Sequence, residues 1–593
     1  MTGGCSEMRK APAHILALIL TVALCCGLIS FAFASESTLN QAFFGGMLRL
    51  EARINSGEKN LSLFEKPDLS GKPFARLAPG DTISVLGAGN KSYRVSCNGQ
   101  TGYVSKKKVT LTGIPSGNVP VSAAVISSSL NMDHLYIHPK DEDWILLTGS
   151  VELAAPVELV SFFIWDEWQQ QVDRVAIWTP DSPVDRLDAA DWSRLLKTAD
   201  IPGGRKTLCI QAAAGDETLV VARLPFMLAG KIPDIPDINN RCVFKPNAAK
   251  ALDASIETGW SPTEKYPELS ISFPEDGSAA ILQLEWLKVP EKTEITVTDA
   301  DGQALLDQVL ETGFWLDSIT LPEGARTAVV RPYGKKVSLA SVHVYSPDYP
   351  RDMVQQWEPM PENLDILLFS AHQDDEVLFF SGLVPWYSHL GKKIGIVYMA
   401  DCGRNRYREA MRGMWYCGLR IHPVFLGFLD KEISSLDVAT NIWPGSQEAI
   451  VRQIRRCKPS VVVCQDINGE YGHTQHVLTS LQVRRAVEYA ADPSYDPDSA
   501  AEYGVWDVKK LYVHLYEENQ LKMDWKIPLD ECDGFTPWDI AVQAFEMHYS
   551  QNRSRYFRMS RQSVKWDSSL FGLYRTTVGP DTPGVNDMLE NLD

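Results

Sequence analysis

The chain has 593 residues, too many for a single hydrophobic core, so several domains are expected. Hydrophobic residues make up 45% and charged residues 22%, the balance of a folded globular protein rather than a disordered one. A formal net charge of -18 argues against nucleic acid as a partner, and against electrostatic docking on anionic lipid, since both call for basic surface.

Arg9 and Lys10 precede a run from Ala11 to Ser35 free of Lys, Arg, Asp and Glu, and Ala32-Phe33-Ala34 offers a small-x-small cleavage site. Residues 1–34 therefore read as a secretory signal, or as an N-terminal anchor if uncleaved, because the apolar run approaches the length of a membrane span. A secreted or envelope-associated protein is expected, touching membrane only if the leader is kept. Beyond the leader, eight cysteines are spread thinly with no CxxC, which argues against a zinc-cysteine cluster. Five of them lie past residue 400, leaving room for one or two disulfides there.

Three β-rich stretches follow. In 48–112 a turn at Pro79-Gly80-Asp81 leads into Thr82–Leu86, and Asn98-Gly99 marks a hairpin into Thr101-Gly102-Tyr103-Val104. Together with Leu63-Phe64-Glu65-Lys66-Pro67, these segments resemble the bacterial SH3-like domain, although Tyr93 stands where tryptophan is common. That resemblance implies a barrel that contacts cell-wall peptides or glycans, or a structural spacer. In 123–235, Trp144–Val151 and Val160–Trp165 look like strands of a β-sandwich. Its tryptophans, Trp144, Trp165, Trp168 and Trp178, suit core packing better than a sugar platform. In 240–347, Thr258-Gly259-Trp260-Ser261, Ile281–Trp286 and Val337–Tyr345 are similar to discoidin-like (galactose-binding-like) jelly rolls, which implies an ancillary carbohydrate-binding shape. A proline-rich linker then runs from Pro347 to Pro361.

After residue 362 the texture changes. Apolar runs at 366–370, 394–399, 423–426, 461–464 and 511–516 alternate with helical patterns at 406–417, 446–456 and 475–491. Buried strands alternating with helices predict an α/β unit: a doubly wound, Rossmann-like, mostly parallel sheet with helices on both faces. Sites in such sheets form at the carboxyl ends of strands. The first strand ends in His372-Gln373-Asp374-Asp375-Glu376, and the fourth in Gln465-Asp466-Ile467-Asn468-Gly469-Glu470-Tyr471-Gly472-His473-Thr474-Gln475-His476. The fold can bring these clusters together although about 100 residues separate them. Two imidazoles and one carboxylate make the three-ligand set of a catalytic zinc, with a further carboxylate as general base and a further imidazole as acid or oxyanion partner.

"AHQDDE" with "GEYGHTQH" resembles the PIG-L/LmbE family of zinc-dependent de-N-acetylases, over about 362–580. Further matches are Arg406-x-x-Glu409, Leu426-Gly427-Phe428-Leu429-Asp430 and His548-x-Ser550-Gln551. The resemblance implies one zinc ion held by His372, Asp375 and His476, Asp374 as general base, and His473 as acid or oxyanion partner. It makes Arg406 and His548 candidates for substrate contact. Gln373 replaces the usual proline. The expected activity is removal of an N-acetyl group from an N-acetylglucosamine-type sugar in a glycan or cell wall. The alternatives are a glycan-binding protein with a non-catalytic deacetylase-like domain, and an amidase for another acylamine.

Overall fold

The computed structural model describes residues 46–592, apart from 119–124, 133–135, 138–143, 193–194, 215–216, 232, 234–235, 348, 350–352, 432–434, 533 and 553–564. The leader expected at 1–34 lies outside the described residues.

Upstream of residue 346 the described chain is built from mainly antiparallel sheets with few helical turns, the exception being Tyr136–Ile137, which pairs in parallel with Met227–Leu228. A five-stranded sheet spans 46–118, and its order places Gly46–Ile54 between Ile83–Ala88 and Val109–Asn118. Next comes a five-stranded sheet centred on Leu159–Asp166 and Gly204–Ala214, facing a three-stranded sheet around Ser150–Val157. Every residue of Leu159–Asp166 is buried. Phe162 and Ile164 enter the core between these two sheets, whereas Leu159, Phe163 and Trp165 join Leu50, Val85 and Val104 of the sheet before. The first two stretches therefore share a core. Trp165 and Trp168 are buried, as expected of packing residues. Residues 243–345 form a five-stranded and a three-stranded sheet closing over Trp260, Leu284, Trp286 and Val342.

The C-terminal unit is α/β. Its strands are β1 (Ile366–Ser370), β2 (Ile394–Asp401), β3 (Val424–Leu429), β4 (Val461–Cys464), β5 (Lys510–His514), β6 (Gln520–Lys522) and β7 (Leu570–Thr576). They form one sheet in the order β3-β2-β1-β4-β5-β7-β6. The first five are parallel, and β7 runs antiparallel to both β5 and β6. Alternate residues of β1 serve different cores. Ile366 and Leu368 pack with α1 (Asp375–Leu378), α2 (Leu383–His389) and α3 (Arg404–Tyr416), whereas Leu367 and Phe369 pack with α4 (Ser446–Cys457) and α5 (Thr474–Ala491). That two-sided burial is why the strands read as unbroken apolar runs. The one or two disulfides for which the sequence leaves room past residue 400 are not formed: Cys402, Cys417, Cys457, Cys464 and Cys532 are all free thiols.

Candidate active site

The strand order reverses between β1 and β4, so the loops that follow them part and leave a crevice at their carboxyl ends. Both acidic and histidine-rich stretches sit there. Gln465, one residue past β4, stitches the loops together: its Oε1 accepts the Ala371 N–H at 3.1 Å and its Nε2 donates to Asp375 Oδ2 at 2.8 Å. Gly469 has φ 70°, and a side chain there would come within 2.6 Å of the His473 carbonyl. Glycine thus lets the loop fold beneath the start of α5, which delivers His473 and His476.

Asp374 adopts φ 131°, a conformation that costs a non-glycine residue about 1–3 kcal/mol and persists where surrounding contacts impose it. Those contacts are visible. Arg406 donates from Nε to the Gln373 carbonyl at 2.9 Å, and its Nη2 lies 2.5 Å from Asp374 Oδ1. The Asp374 N–H donates to Glu376 Oε2 at 2.8 Å. Gln373 itself is buried and donates to the Ala400 carbonyl at 2.8 Å, tying the loop to β2.

Three donor atoms converge nearby. His372 Nδ1 lies 3.1 Å from His476 Nε2, and each lies 3.2 Å from Asp375 Oδ2. A tetrahedral ion with bonds of about 2.0–2.1 Å has ligand–ligand edges of about 3.3–3.4 Å, so this triangle fits a zinc-sized ion. The outer hydrogen bonds agree. Gln475 Nε2 donates to the Leu429 carbonyl at 3.0 Å, which turns its Oε1 toward His372 Nε2 at 2.8 Å. That nitrogen therefore carries the ring hydrogen, and Nδ1 presents a lone pair. His476 Nδ1 lies 2.7 Å from Glu470 Oε2, while the other Glu470 oxygen meets His514 Nδ1 at 3.0 Å. Burial opposes protonation of His476, but Asp375 and Glu470 together push its pKa up to about 10. A metal ion bound here would take that proton's place on Nε2. Burial also disfavours the Asp375 anion, yet His476 and His372 hold its carboxyl well below the ordinary range. Ring nitrogens of His372, His473 and His476 all lie within 4.8 Å of one another, so His473 is a further donor in reach.

His372, Asp375 and His473 border a cavity of about 120 Å³, whose wall also includes Asp374, Arg406, Asp430, Tyr471 and Gln551, while His476 lies fully buried behind it. Burial pushes the Asp374 carboxyl up to about 6 against the pull of Arg406. Burial, then His476 and His372, push His473 down to about 3, so its imidazole is neutral near pH 7. The structure thus brings His372, Asp374, Asp375, His473, His476 and Arg406 together. His548, a candidate for substrate contact, is fully buried and does not border the cavity, its Nε2 3.1 Å from Glu376 Oε1. Arg406 borders the cavity but directs its guanidinium at Gln373 and Asp374. Gln465, Glu470 and Gln475 were given no role from sequence. They are buried polar residues in the same stretch as the histidines, and only their partners across the crevice reveal what they do.

Residues 367–487 match the sequence profile of the PIG-L family, described as GlcNAc-PI de-N-acetylase. Among curated proteins, a 1D-myo-inositol 2-acetamido-2-deoxy-alpha-D-glucopyranoside deacetylase of Catenulispora acidiphila is 43% identical over 213 residues, covering 30% of this chain and 64% of that protein. A protein of the same description from Rhodococcus opacus is 40% identical over 191 residues, covering 26% and 63%. The chain thus spans less than two thirds of the length of these relatives. Among solved structures, the N,N'-diacetylchitobiose deacetylase of Pyrococcus horikoshii is similar with 17% identity and a TM-score of 0.25, over 32% of this chain and 70% of that one. The residues that match the PIG-L family profile lie within the C-terminal α/β unit.

Proposed function

We propose that the protein is a zinc-dependent N-deacetylase that hydrolyses the acetamide of an N-acetylglucosamine-type sugar. The observation that carries this reading is the triangle of His372 Nδ1, Asp375 Oδ2 and His476 Nε2 with the strained Asp374 beside it. The relatives named as deacetylases of a 2-acetamido sugar support the substrate class. When bound, zinc supplies Lewis acidity toward the amide carbonyl and lowers the pKa of the attacking water to about 7.

The remaining steps belong to the chain. Asp374 accepts the proton of the attacking water, with Arg406 fixing its carboxylate and Glu376 fixing its backbone. His473, neutral, donates its N–H to the oxyanion of the tetrahedral intermediate rather than serving as a cation. The proton held by Asp374 then passes to the departing amine. Acetate, a free amine and restored carboxylate close the cycle.

The reading extends to the whole chain. The strand order β3-β2-β1-β4-β5 supports a Rossmann-like core for a catalytic domain at 362–580. Upstream, an SH3-like module at 48–112, a β-sandwich at 123–235 and a discoidin-like module at 240–347 would serve an exported enzyme whose substrate is a glycan or the cell wall, where added weak contacts raise local concentration. Acetate release from N-acetylglucosamine oligosaccharides and from an N-acetylglucosaminyl-inositol, measured on the full chain with and without a chelator, tests the proposal. Release abolished by the chelator and restored by zinc is the expected result. Release that ignores the chelator overturns the metal, and no release from any acetamido sugar overturns the activity.

A further inference from the structure

Helix α3 faces two ways. Arg404, Tyr407 and Arg408 lie on one side, and Arg406, two residues from Arg404 and so about 200° around the helix, lies on the other. Arg406 holds Gln373 and Asp374, as described above. The opposite side is held by the upstream sheet at 281–320. Arg404 donates to the Trp286 carbonyl, and its guanidinium lies 4.7 Å from the centre of the Trp315 ring. Arg408 Nε lies 2.9 Å from Glu285 Oε1. Trp315 meets Tyr407 edge to face at 4.9 Å between centroids, and the adjacent Phe314 stacks on His422 at 4.2 Å.

The anchoring side is itself rigid. Trp286 is fully buried and donates to Asp317 Oδ2 at 2.8 Å, while Asp317 Oδ1 accepts from Thr312 at 2.8 Å. The start of α3 has no side-chain cap. Its N-cap is Gly403, with φ 88° and no side chain to cap the first turn. Nor is the seam packed solid. A cavity of about 730 Å³ runs along it, bordered by Glu285, Trp315, Tyr407, Arg408 and Trp415. The hold of the upstream sheet on the first turn therefore comes through these few contacts and not through a continuous interface.

We propose that the upstream sheet positions Asp374 through the first turn of α3, with Glu285 and Trp315 as positioning residues. The β-region then completes the active site in addition to any contact it makes with a polymer. This inference takes Asp374 as the base and so rests on the function proposed above.

Glu285→Gln in the full chain removes one anchor while keeping its shape, and Trp315→Ala removes a second. Hydrogen exchange tests the mechanical link without turnover. Exchange should quicken in both 403–408 and 371–376 and stay unchanged in 474–491. In the deacetylase assay, kcat should fall about tenfold at constant KM and constant metal content. The losses of Glu285→Gln and Arg406→Lys should not multiply in the double variant, because one acts through the other. Exchange that quickens only within 281–320 overturns the inference even if the protein turns over no acetamido sugar, and so do losses that multiply. An inactive wild-type chain in which exchange quickens at 371–376 keeps the link and overturns only the activity.

Discussion

Two groups of buried charge, one in the upstream sheets and one at the end of β1, look alike in sequence and differ in what they leave open. Upstream, Lys206 is fully buried and its Nζ contacts both Asp166 and Asp173, the latter at 2.7 Å. The other Asp166 oxygen accepts the N–H groups of Trp168 and Gln169 at 2.8 and 2.7 Å. Its donors and acceptors close on one another, and the backbone there is a regular strand pairing, Asp166 opposite Lys206. At the end of β1 three donor atoms instead point at one place, Asp374 sits at φ 131°, and His473 Nδ1 is buried without a hydrogen-bond partner. Self-satisfaction marks a structural cluster. Convergent lone pairs, strain and an orphaned nitrogen mark a site that works on something else.

Removing a ligand breaks that contrast most sharply. His476→Ala should deprive the purified protein of its metal and take acetate release to the buffer rate, with metal content and product measured on one sample. Retention of metal by this variant would remove His476 from the ligand set. Asp374→Asn should be nearly as damaging to turnover, lowering kcat by about 10²–10⁴-fold while metal content stays at the wild-type level. A normal rate in that variant would leave the strained aspartate without a function.

The same experiment on the upstream cluster should read out differently. Lys206→Met leaves two buried carboxylates without their cation and should destabilise the fold by about 3–5 kcal/mol, seen in the denaturation midpoint. Metal content of the folded fraction should not change. Loss of metal at unchanged stability would mean that the two clusters are not distinct in kind.

Much of this was legible in the chain. β1 is apolar from Ile366 to Phe369 and β4 throughout, as strands covered on both faces must be, and the polar residues that follow them fall at one edge of the sheet because parallel strands end together. The histidines and aspartates of the site were therefore readable by position. What was not readable depends on approach in space. Glu285 meets Arg408 across more than 100 residues, and no local pattern announces it. Nor does a local pattern announce that Arg406 turns toward Gln373 and Asp374 instead of open cavity. His548 was placed near the site by its motif, but burial against Glu376 keeps it off the wall. Upstream, Phe162–Trp165 is an apolar run without alternation, as in a parallel strand, and the reason is that a second sheet covers its outer face.

The seam between the two regions carries a smaller, pH-dependent effect. His422 is buried there, stacked on Phe314, with its Nδ1 2.7 Å from the Pro423 carbonyl. Burial pushes its pKa from 6.5 down to about 4. The folded chain thus keeps His422 neutral between these values while the unfolded chain takes up a proton. Stability from this group is fully present above about pH 6.5 and is lost as pH falls toward 4, by about 3 kcal/mol at the lower end. His422→Phe keeps the ring stack and removes the titration, so its stability should vary less between pH 6.5 and 4 than the wild type does. The hydrogen bond to Pro423 is lost in that variant, which lowers stability by about 1 kcal/mol at neutral pH. Curves that cross as pH falls are the expected signature, and parallel curves would show that the seam opens before His422 takes its proton.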